Sequence, residues 1–108
     1  MPQTPRSPVP TQFSEVATEL ERVVQRWRQL PLDRALSYAG RVRALVQSLA
    51  DGVAKATGVP ASVVPDCGPA TLMDQLTVMV HDVSAAAVAS TRTSTLVQDL
   101  ASLRRELS

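Results

Sequence analysis

The chain has one cysteine, Cys67, and one histidine, His81. A lone cysteine excludes an internal disulfide framework and any multi-cysteine metal site. A lone histidine removes the paired-histidine patterns of zinc enzymes. Isoleucine and asparagine are absent, and Lys55 is the sole lysine beside ten arginines. The scarce types have AT-rich codons, so the bias fits a GC-rich, bacterial genome. Aromatic residues are limited to Phe13, Trp27 and Tyr38, so any core is aliphatic and built from small residues, which suits closely packed helices. With four glycines no phosphate-cradling loop is available: G-x-G-x-x-G, G-x-x-x-x-G-K and the nucleophile motif G-x-S-x-G are all missing. No run approaches the roughly 20 apolar residues that span a bilayer, and the segment Met1 to Pro8 has no apolar centre of the kind a secretory signal needs. A cytoplasmic location away from membranes is the expectation. No cofactor and no metal are expected.

What remains is a chain of 108 residues, enough for one domain, with a net charge of +1. The first ten residues hold four prolines. Proline fixes φ and removes a backbone donor, so residues 1–10 are expected to be a disordered or extended Pro-rich tail. Residues 11–108 are expected to form a single helical domain.

Apolar residues then recur at alternating intervals of three and four, the period of a helix buried along one side. Phe13, Val16, Leu20, Val23, Trp27 and Leu30 mark a first helix over about 11–30, widened by Ala17 and Val24. Its acids Glu15, Glu19 and Glu21 lie early and its arginines late, which complements the helix dipole. Glu19 and Arg22 are spaced to pair. Pro31 disfavours the helical conformation at Leu30 and suits the start of a second helix. That helix is expected over about 31–57, with the seam Leu32, Ala35, Ala39, Val42, Val46, Leu49, Val53 and Ala56. Leu36 and Leu45 broaden its buried face, and Gly58 is the stop. Gly40 and Gly52 lie inside it, where each costs about 1 kcal/mol against alanine, and a close helix crossing is one reason to keep them.

Residues 58–68, rich in proline and glycine, read as a loop. It is long for a bundle connection and is expected to cross the bundle end with Val59, Val63 and Val64 on the core. A third helix is expected over about 69–90, capped by Gly68. Leu72, Met73, Leu76, Met79, Val80 and Val83 share its apolar face. A fourth is expected over about 94–107, with Leu96, Val97, Leu100, Leu103 and Leu107 on one side. The two stripes are rotated by roughly 120° at 100° per residue. A break is therefore expected within residues 91–94, where Thr95 and Gln98 resemble a capping box. The fold class is all-α: a three- or four-helix bundle built on an αα-hairpin.

Few residues carry chemistry. Asp74 and His81, seven apart, fall on one helix side with Thr77 between them, but no third or fourth ligand accompanies them. Cys67 precedes a helix N-terminus, which favours a thiolate, but it has no nearby base. An enzyme is not expected; a site around Cys67 or His81 is the remote alternative. Between Arg22 and Arg43 lie six arginines and one acid, Asp33. The turn at Pro31 would gather them at one bundle end, making Arg22, Arg26, Arg28, Arg34 and Arg41 candidates for binding nucleic acid or another anion.

The heptad seams and the rotated last stripe leave apolar surface to spare. The expected function is therefore a non-enzymatic interaction or regulatory protein. It would form a homodimer, or bind a protein partner, through apolar helix faces. Leu96, Leu100, Leu103 and Leu107 are the expected interface, and anion binding by the arginine-rich end is the alternative.

Overall fold

The computed structural model describes residues 11–86 and 90–108. The expected Pro-rich tail, residues 1–10, lies outside the described residues. Four helices follow in order: α1 over Thr11–Gln29, α2 over Leu32–Thr57, α3 over Leu72–Ala86 and α4 over Ser90–Leu107. A 3₁₀ turn, Pro69–Thr71, leads into α3, and there is no strand among the described residues. The all-α bundle expected from the apolar period is what forms.

Pro31 separates α1 from α2. It is the N-cap of α2, with φ −58° and ψ 151°, and its carbonyl accepts the Ala35 N–H at 2.9 Å. Its missing N–H is harmless there, because a first-turn donor has no helical partner. α2 stops at Gly58 in the left-handed conformation (φ 74°). The Val59 N–H then reaches back to the Ala54 carbonyl at 2.9 Å and satisfies an end acceptor.

The next segment does not cross the bundle end. It runs back along the side of α2. Gln47 holds it from both ends of one amide: Nε2 donates to the Ser62 carbonyl at 3.1 Å, and Oε1 accepts the Val64 N–H at 2.8 Å. Further on, Asp66 pairs with Arg43 at 3.2 Å and accepts the Gly68 N–H at 3.0 Å. Val64 alone of the three loop valines is partly buried, while Val59 and Val63 are exposed. The loop is long because it must travel most of the way back along α2. Gly68 turns the chain with φ 91°, and the 3₁₀ turn then starts α3 beside the α1–α2 elbow.

α3 therefore runs parallel to α2 and antiparallel to α1. Ala70 and Met73 share a hollow with Trp27 and Ala35, whereas Thr77 to Ser84 face Val24 back to Val16. α4 runs parallel to α1 and antiparallel to α3: Val97 lies by Ser14 and Thr18, and Leu107 by Arg26. The closest pairings are α1 with α4 and α2 with α3. The hairpin partners α1 and α2 run antiparallel but pack chiefly through those two later helices. The expected end of the third helix, at about residue 90, falls where residues 87–89 lie outside the described residues. The polar stretch at 91–94 lies within α4 rather than at a break, and Thr95 sits inside the helix.

One core unites all four helices: Val16 and Val23 from α1, Ala39, Val42, Val46 and Leu49 from α2, Leu72, Leu76, Val80 and Val83 from α3, and the leucines of α4. Gly40 does not serve a close crossing. It is exposed, and a Cβ built there meets nothing within 4 Å. Replacing Gly40 with alanine removes backbone entropy from the unfolded chain without a clash. Gly40→Ala is expected to stabilise the protein by about 1 kcal/mol, read as a higher midpoint in urea denaturation.

Candidate interaction surface

The four leucines expected to face a partner are in the core. Leu96, Leu100, Leu103 and Leu107 are 2%, 0%, 0% and 0% exposed. The physical reason is the direction of α4, antiparallel to α3. Once α4 is a separate helix, its stripe need not align with that of α3, and the rotation between them turns the leucines onto α1. This corrects their assignment as an interface.

Most of the six arginines are engaged within the chain. Arg26 Nε donates to the Leu107 carbonyl at 2.8 Å, a cation on an end acceptor of α4. Arg41 pairs with Glu106 through Nε at 3.0 Å. Arg22 pairs with Glu19 at 3.6 Å, as their spacing predicts. Arg43 pairs with Asp66 at 3.2 Å, while its Nε is buried without a partner. Arg34 lies 6.0 Å from the centre of the Tyr38 ring, a cation–π distance. Arg28 alone of the six is exposed with no partner among the described residues. Sequence reasoning missed Arg104, whose Nε approaches Glu19 at 2.6 Å and ties α4 to α1. Only the parallel packing of those helices brings the two together.

His81 and Cys67 fall on different elements. His81 is exposed and lines a groove of about 580 Å³ between α1 and α3, with Glu21, Thr77 and Ser84 on its rim. Asp74 lines a different hollow, and Thr77 donates its hydroxyl to the Met73 carbonyl at 2.8 Å rather than bridging the pair. Cys67 is exposed on the loop before α3. Among the described residues no group of three His, Cys, Asp or Glu side chains could hold a metal ion, and no helix is long and apolar enough to cross a membrane.

Besides Val59 and Val63 on the loop, the exposed large apolar side chains lie at the start of α2 and on α3. Leu32 is 72% exposed, Leu36 48% and Val78 52%. Both leucines were expected on the buried seam of α2. They are uncovered because the returning loop's clamps on α2 lie at Gln47 and Arg43, whereas Leu32 and Leu36 belong to the first two turns. Trp27, Arg28, Leu30, Leu32, Ala35, Ala70, Met73 and Asp74 line a hollow of about 470 Å³. A second hollow shares Asp74 and continues over Gln75, Val78, Met79 and Val64. The two meet at Asp74 and form one strip, with Leu32 on one side of the carboxylate and Val78 and Met79 on the other. The sequence held one signal for it: Leu30, Leu32 and Leu36 crowd around Pro31 on more sides of the helix than one seam can bury.

No family model matches the chain, and no curated protein or solved structure matches it either.

The ion pairs that close α4 onto the other helices differ in burial. Glu19 and Arg104 side chains are 14% and 30% exposed, against 44% and 35% for Glu106 and Arg41. A double-mutant cycle to alanine at Glu19 and Arg104 is expected to give a coupling of about 1 kcal/mol, and the Arg41–Glu106 cycle only a few tenths. Equal couplings in chemical denaturation would contradict this ranking.

Proposed function

We propose that the chain is a non-enzymatic interaction protein that works through the apolar strip at the α1–α2 elbow and the adjoining side of α3. The observation that carries this reading is the exposure of Leu32, Leu36 and Val78, with Leu32 and Val78 lining two hollows that meet at Asp74. Large apolar side chains left exposed near one another on a small domain are costly to solvate and favour a contact surface. The exposed, separated positions of Cys67 and His81 support a role without catalysis. An exposed free thiol, together with the arginine-rich composition, fits a bacterial cytoplasmic setting.

Anion binding by Arg22, Arg26, Arg28, Arg34 and Arg41 has less support, because the engaged guanidiniums would have to give up their partners within the chain. Duplex DNA retarded at low salt, with a salt dependence that flattens when Arg28 and Arg34 are replaced by alanine, would favour it instead.

The strip is tested by placing a photo-crosslinking residue at position 32, 36 or 78 in cells, with exposed positions Thr18 and Asp51 as controls. Protein crosslinks are expected from the three strip positions and not from the controls. Absence of crosslinks, or equal yields at all five, would remove this surface from consideration.

A further inference from the structure

We infer that the occupant of the elbow strip is a second copy of this chain, packed about a two-fold axis through the elbow hollow so that Arg28 of each copy meets Asp74 of the other. The inference rests on the reading of the strip as a contact surface and adds the identity of the partner.

The argument is charge complementarity. Arg28 and Asp74 line the same hollow and are both exposed, and neither has an ion-pair partner among the described residues. A partner presenting acids would leave Asp74 facing like charge, and a basic partner would do the same to Arg28. A two-fold axis places the same patch on both sides of the interface, so a surface that mates with itself must carry both signs. This one carries one of each, on either side of the hollow through which the axis would pass. Leu32 lines the same hollow, and Val78 and Met79 lie beyond Asp74. Association would thus withdraw apolar side chains and the paired charges from water together, the arrangement of an interface core.

The lane along α2 fits a facing helix. Leu32, Leu36 and Gly40 recur every fourth residue, and the space over Gly40 is open. Arg28 is the cation that lines this hollow. Two copies need no element to rearrange, because every named side chain is already on the surface.

The test uses the full chain under reducing conditions, so that Cys67 cannot crosslink copies. Analytical ultracentrifugation of the wild type is expected to show a reversible dimer. R28D sets a carboxylate against Asp74 of its mate, and D74R sets a guanidinium against Arg28. Each variant alone is expected to weaken dimerisation by about tenfold or more. An equimolar mixture of the two is expected to recover dimers. In a mixed pair one contact joins the two introduced side chains and the other joins the two native ones, so both regain opposite charges. A change confined to one chain cannot produce that recovery. Circular dichroism and urea midpoints check that both variants fold, and L32D is expected to weaken the dimer with no recovery on mixing.

A wild type that stays monomeric at about 100 µM overturns the assignment of a second copy. So does a mixture that associates no better than its parent variants. In either case, crosslinks from positions 32, 36 and 78 to a different protein would keep the strip as a contact surface, so the two readings fail separately.

Discussion

The return of residues 58–68 along α2 is the constraint on which the rest of the architecture depends. A short turn after Gly58 would send the next helix antiparallel to α2 and start it at the far end from the elbow. Gln47 and Arg43 instead hold the extended segment against the side of α2. From Thr57 back to Arg43 is about 21 Å of helix at 1.5 Å per residue. A loop of about eleven residues, at about 3.3 Å each, covers that distance with chain left to turn. α3 therefore begins beside Pro31 and runs parallel to α2, and α4 must reverse to lie along α1. The hollow between Trp27, Leu32 and Met73 exists only because three helix ends are brought to one place.

Much of this architecture was legible in the amino-acid order, for reasons that are local. Alternation of three and four intervals named nearly every buried residue of α1 to α4. Pro31 and Gly58 acted as punctuation because proline's fixed φ and glycine's access to positive φ depend little on surroundings. What was not legible depends on direction in space. The loop's length announced an unusual connection, but not that one glutamine amide would hold it by two backbone groups. The rotated stripe of α4 was visible as a rotation. Whether it pointed outward or onto α1 depended on the direction in which α4 runs, which its own residues do not announce. Leu32 fits the apolar period as well as Ala35 does; its exposure follows from where neighbouring elements stop.

The arginines illustrate the same division. Their clustering in sequence predicted a basic bundle end, and composition alone could not say that neighbouring acids and carbonyls would absorb them. Arg26 on the end of α4, Arg41 on Glu106 and Arg104 on Glu19 join α4 to α1 and α2. Individually such contacts contribute little on a solvated surface. Their use lies in orientation: an aliphatic stripe buries almost equally well at several rotations, and charged pairs at fixed positions disfavour all but one. With three aromatics in the whole chain, there are few large rings to fix that register by shape.

This bears on why apolar side chains remain outside. A core made of valine, alanine and leucine is thin, and its helices can approach closely without needing Leu32, Leu36 or Val78 to close it. Drift would replace such residues with polar ones at no loss to the monomer, since exposed leucines add little stability and favour aggregation. On the proposed reading their place is a contact surface: Leu32 lies on one side of Asp74, in the hollow that also holds Arg28, and Val78 lies on the other beside Gln75. A carboxylate in the middle of that strip lowers non-specific stickiness, because any covering surface that fails to supply a cation leaves it desolvated and unpaired. Under the proposed reading, the same charge would select what could cover that surface.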